Sequence, residues 1–463
     1  MLKPSQKNKT VLSTQHKLRR EKELACAYDS LTTHDIKQLL NFCYQSDGYQ
    51  FSHLLLASLY SARSISHLMD PEIRLEDSIT DCGQFGILYS SMKHPDSLTS
   101  ANNSEPFIFL PSTFLMSIRE AQKSDIEEIE SKLKSYLTEI NKKHSTRLTL
   151  GRIKRYLIKE AAEFNLSQAE VSFIADNRIR EHAGSSYLSI SAKELSEKHL
   201  RYLNHVQSLA QQEQFEIGSV LDSPSAEKVM GSNRSMPNKE IITLFSKMKN
   251  VVNVALKSLP SSIWQIYNDY TLFTVCLLYM STGHRPSRSP FGTLQNFDLI
   301  REVVWVQDKQ AREGANRLLP IGKISSQHLR NYLSFLEKVK DVVKYSYPAE
   351  AESISQSLSS QADLFKLKGK TGMTFFSATT QRECCTTTHK FAKNWHRHWL
   401  RQLLAKQPNI NPSATDAFMG HENLLDESFS IFSSLDVTEL RKISEAIERE
   451  FAVLGIDALR VAL

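Results

Sequence analysis

The sequence predicts a mainly α-helical protein with small antiparallel β-sheets, an α+β chain of two domains joined by a polar segment. Three observations carry this. Apolar residues recur at helical spacing through most of the 463 residues, the pattern left when one face of a helix is buried. Four short β-type runs, at 83–89, 106–110, 302–306 and 317–321, break that spacing. Residues 205–240 turn polar and rich in Ser, Gln and Pro, as an interdomain linker does.

The elements follow in order. Residues 1–24 carry Lys3, Lys7, Lys9, Lys17, Arg19 and Arg20 and read as a flexible basic arm. A helical domain spans 25–204. Its helices are expected at 52–68, 124–143, 148–164 and 166–179, with strands at 83–89 and 106–110 joined by a Ser/Asn-rich loop. After the linker, 241–259 is an amphipathic helix and 267–281 an apolar one that ends in Thr282-Gly283-His284-Arg285-Pro286. Residues 302–306 and 317–321 form a hairpin, and 326–343 a helix. A polar connection then leads to a basic, aromatic helix beginning near Lys390. The second domain runs from 241 to 445, and 446–463 is a C-terminal amphipathic helix.

Composition narrows the function classes. The chain is 41% hydrophobic and 23% charged, ordinary for globular domains. It has no apolar run of the roughly eighteen residues that a membrane helix needs, and no apolar signal core follows the basic N-terminus. A cytoplasmic, nucleoid-associated protein without membrane partners is expected. The six cysteines, 26, 43, 82, 276, 384 and 385, lack paired CxxC spacing and read as reduced thiols, so no metal or organic cofactor is implied. The net charge of +6 is mild. Its distribution says more, because Lys390, Lys393, Arg397 and Lys406 interleave with Trp395 and Trp399 in a pattern suited to DNA phosphates.

Five groups could act on a phosphodiester. Arg285 follows an apolar helix, where structure alone needs no arginine. Lys309 leaves the first hairpin strand, with Lys323 as a rival. His398 and Arg401 lie one helical turn apart, and His421 closes Met419-Gly420-His421. His396, beside them on the same stretch, is expected at the surface. Arginine suits this task because a planar guanidinium makes paired, charge-assisted bonds to phosphate oxygens. Lysine can protonate a leaving oxygen.

This order of motifs resembles the catalytic domain of the tyrosine recombinase, or phage integrase, family over about 241–445. The resemblance implies DNA strand transfer through Arg285, Lys309, His398, Arg401 and His421. It also implies a nucleophilic tyrosine about ten residues after His421, where this chain has Phe429 and Phe432, and no tyrosine follows Tyr347. Phenylalanine has no oxygen with which to attack phosphorus.

The first half reads either as a core-binding-like helical domain or as a degenerate second copy. In the second view Arg63 parallels Arg285, Lys93 parallels Lys309, and Arg152-x-x-Arg155 parallels His398-x-x-Arg401. Tyr187 stands eleven residues after Asp176, as Phe432 stands eleven after His421, which makes Tyr187 the candidate substitute nucleophile. The expectation is an integrase-like protein of a mobile element that binds double-stranded DNA and acts in integration or recombination. It would self-associate or join a partner recombinase on DNA. The alternative is an inactive accessory or architectural DNA-binding subunit.

Overall fold

In the computed structural model, residues 30–45, 51–77, 85–90, 103–104, 106–176, 183–216, 222, 224–232, 234–257, 263–307, 316–386, 394–421 and 435–463 are described. They are mostly helical with small sheets and fall into two compact units that divide at 233/234, each with its own apolar core.

Unit 1 is organised by α2 (Ser52–Ser61), whose residues are nearly all buried. The expected long helix stops there because Ala62 turns left-handed, with φ 55°, and Ser64 then caps a separate short helix, α3 (Ile65–Leu68). The helix α1 (Thr33–Gln45) precedes it. Strands β1 (Leu75–Glu76), β2 (Phe85–Tyr89) and β4 (Phe107–Pro111) form an antiparallel sheet in the order β1-β2-β4. Helices α4 (Ser112–Ala121), α5 (Ile126–His144) and α6 (Leu150–Glu160) follow, and α6 packs on α2. Next come the short α7 (Gln168–Ile174), opened by a Ser167–Glu170 capping box, and α8 (Ala192–Leu209).

The polar segment expected as a linker is partly built into unit 1. Its first residues finish α8, and β6 (Val229–Gly231) is the central strand of a second sheet, between β3 (Asn103–Ser104) and β5 (Ser189–Ser191). The β3–β6 pair is parallel, an exception to the antiparallel expectation. Gly231, at φ 97°, lets this strand approach the Leu188 carbonyl, which accepts from Ser232 N–H at 2.8 Å.

Unit 2 is organised by α10 (Ile263–Thr282), buried almost all round, with α9 (Asn238–Leu256) against it. Strands β7 (Phe297–Asp298), β8 (Val303–Val306) and β9 (Arg317–Pro320) form an antiparallel sheet. Helix α11 (Lys323–Val343) follows. The stretch expected as a plain polar connection instead holds α12 (Pro348–Leu358), a hairpin of β10 (Lys366–Gly369) and β11 (Gly372–Phe375), and α13 (Ala378–Cys384). Three local cues there were legible: Pro348 at the first helical turn, Gly372 closing a two-residue turn, and the Ser377–Thr380 capping box. The unit ends with α14 (Trp395–Ala405), α15 (Pro412–Met419) and α16 (Val437–Leu454).

Candidate functional site

The candidate site in unit 2 begins with a turn. Helix α10 ends at Thr282, and Gly283 takes the left-handed conformation, φ 59°, so the chain reverses into His284 and Arg285. Two consecutive residues at the start of α14 hold this turn. His396 Nε2 donates to the His284 carbonyl at 2.7 Å, and Arg397 Nη1 donates to the Gly283 carbonyl. Burial pushes the His396 imidazole down to about 3, so the ring is neutral, and it stacks on Tyr279 at 4.9 Å between centroids. His396, expected at the surface, is therefore a buried strut.

The second wall is the end of α15. The last turn of a helix leaves carbonyls without intrahelical donors, at the negative end of its dipole. Two arginines serve them. Arg317 Nη1 donates to the Phe418 carbonyl at 2.7 Å, and Arg397 Nη2 donates to the Met419 carbonyl at 2.9 Å. Gly420 closes the helix at φ 63°, and a Cβ there would lie 3.0 Å from the Arg317 guanidinium. Beyond it, His421 Nε2 meets Arg397 Nη2 at 2.7 Å. A guanidinium only donates, so this ring nitrogen offers its lone pair.

The site thus draws on four stretches far apart in sequence: 283–285, 317, 396–398 and 418–421. The expected residues divide among them. Arg285 is half-buried beside the turn that Arg397 holds, and His421 closes the same corner. His398 is buried on α14. Arg401 is not in the corner's bonding. It is buried in an ion pair with Asp416 that ties α14 to α15. Arg397, expected on a DNA-facing basic surface, is fully buried and joins both walls, because the side of α14 that carries it faces α10 and α15. Lys406 is exposed at the end of α14, and Lys323 is exposed at the start of α11. Lys309, Lys390, Lys393, Phe429 and Phe432 lie outside the described residues, as does Lys93. The residues that sequence reasoning missed are Arg317 and the structural weight of Arg397. The available signal was apolar periodicity, since both fall in register with buried neighbours.

Comparison with known proteins gave no match: no family model, no curated protein and no solved structure.

Unit 1 has a corner of similar construction. Arg63, fully buried after the left-handed Ala62, donates from Nε to the Ile174 carbonyl at the end of α7, 3.0 Å, and from Nη1 to the Tyr89 carbonyl at the end of β2, 2.8 Å. Burial lowers its ordinary value to about 10, which the nearby Asp176 carboxylate opposes. Asp176 accepts from Ser90 Oγ and meets His67 Nε2 at 2.6 Å. Arg155 is exposed and donates to the Gly151 carbonyl of its own helix, so the Arg152-x-x-Arg155 parallel does not extend to a buried role. Tyr187 is half-buried after a 3-10 turn, its amide bonded to the Gly184 carbonyl. Among the described residues, no His, Cys, Asp and Glu group could hold a metal ion, and no helix is long and apolar enough to cross a membrane.

Proposed function

We propose that unit 2 binds the phosphate backbone of double-stranded DNA at the corner around Arg285, in a recombinase-like architecture, and works as a DNA-binding subunit in integration or recombination. The observation that supports this best is the convergence of Arg285, Arg317, Arg397 and His421 from four separated stretches onto one helix end and one turn. Positive charge gathered by tertiary structure, with one arginine half-exposed, suits phosphate contact and counterion release. The sequence adds Phe429 and Phe432 where the resemblance calls for tyrosine. Arg397 spends both of its Nη groups on the chain itself, which favours reversible binding over strand cleavage.

The cleaving reading keeps one support, the retained Arg and His set. Covalent trapping on nicked duplexes separates the two. The expected result is no adduct from the wild type, with salt-sensitive duplex binding whose slope in log K against log salt falls by about one in Arg285→Ala. A wild-type adduct would overturn the non-cleaving reading, and peptide mapping would then name the nucleophile, with Tyr187 the first to check. Trapping by Phe432→Tyr alone would mean a site lacking only its oxygen. Loss of all duplex binding at low salt by the folded wild type would refute the DNA assignment.

A further inference from the structure

Arg63 has spare capacity. Its Nε and Nη1 are used, while the buried Nη2 has no hydrogen-bond partner among the described residues. Leaving such a donor unmet inside a protein is costly, so its presence needs a reason. The two carbonyls that Arg63 reads fix where the guanidinium lies. One belongs to Tyr89, next to Ser90, and the other to Ile174, two residues before Asp176. Ser90 and Asp176 are themselves joined, so the carboxylate sits at the same corner, and its charge bears on Arg63. A carboxylate beside an arginine would ordinarily take two of its N–H groups in parallel. Here one carboxylate oxygen faces the Ser90 hydroxyl and the other the His67 ring.

We infer that this corner is an oxyanion cradle filled by the chain's own Asp176. His67 Nε2 and Ser90 Oγ hold a tethered carboxylate, the Arg63 guanidinium lies at the same corner with Nη2 unused, and removing the Asp176 side chain leaves groups able to donate to a phosphate-class anion. The Asp176 side chain is fully covered, but that of His67 is 25% exposed, which gives the cradle an edge on solvent. Asp176 also lies in the left-handed region, φ 54°, where glycine is unstrained, so its side chain can be removed without adding backbone strain. In the native chain the tether keeps unit 1 closed to phosphates.

The test uses the full chain and inorganic phosphate, read by isothermal titration calorimetry. Asp176→Gly is expected to bind one more phosphate per chain than the wild type, and Arg63→Met in that background to lose it. Asp176→Asn, which still fills the cradle, is expected to match the wild type. Because the readout is a gain over the wild type, it holds whether or not unit 2 binds phosphate. A folded Asp176→Gly with no added site overturns the inference. If that variant is unfolded without anion, phosphate must restore its melting transition, and failure to do so overturns the inference equally.

Discussion

The two units share an order of elements but use it differently. Each runs from a buried helix into a left-handed residue, Ala62 or Gly283, through a three-stranded antiparallel sheet whose last strand ends in Leu-Pro. Each then passes through further helices to a short helix that hands a last-turn carbonyl to a distant arginine, and on to a capped 18-residue helix. In unit 2 that arginine device is coupled to a histidine, and in unit 1 to a carboxylate. The left-handed residue ending the short helix is Asp176 in one and Gly420 in the other, so a match through this turn pairs Asp176 with Gly420 and not with His421. The difference teaches that one frame can set either a histidine or a carboxylate beside its buried arginine.

The largest expected effect tests the ion pair that ties α14 to α15 in unit 2. Asp416→Ala strands the buried Arg401 guanidinium and should cost about 3–5 kcal/mol, measured by urea denaturation. A cost below about 1 kcal/mol would mean that Arg401 finds water or another acceptor and that α14 and α15 do not depend on the pair.

The sheets offer a second contrast. Strands β2 and β4 are buried on both faces, whereas β8 and β9 alternate, with Trp305 facing Leu318 across the pair on an exposed face. Leu88→Ala should therefore cost about 2–4 kcal/mol and Leu318→Ala less than about 0.5. Equal losses in denaturation would show that the outer face of β8–β9 is covered in solution.

Acid should divide the units more gently. Burial holds His199 in unit 1 down to about 4, and His328 and His396 in unit 2 down to about 3. His328 accepts from Leu459 N–H on Nδ1, so its Nε2–H donates to Thr274 Oγ1, and the ring is neutral. With folded values below the ordinary 6.5, the unfolded chain binds the extra protons. Stability is then full above about 6.5 and is lost as pH falls toward the folded value, by about 2 kcal/mol per histidine between pH 7 and 5. Unit 2 should lose more than unit 1, as hydrogen exchange at the two pH values would show. His328→Gln should remove one share.

Much of the fold was legible because burial writes periodicity. The helices near 241–259, 267–281 and 326–343 and the hairpin at 302–321 fall within a few residues of their expected places. What escaped was set by tertiary contact. Nothing local marks Ala62 as left-handed, and Arg397, though in register with buried neighbours, carries no local sign of the carbonyls it braces. Of the site, Arg285 and His421 were legible from their Gly-containing turns. Arg401 was not, because its partner Asp416 sits fifteen residues away on another helix.

Two glycines in unit 2 are shaped by side chains far from them in sequence. A Cβ at Gly322 would overlap the Glu448 carboxylate, which accepts from Ile324 N–H at the start of α11, and one at Gly420 would press on Arg317. Each is the mould of a distant residue. Such pairs are coupled: a side chain at the glycine fits only if the far end of its partner moves aside, and at Gly420 the left-handed φ of 63° adds strain of its own, so Gly322 and Gly420 should change less readily than their surroundings while their partners remain.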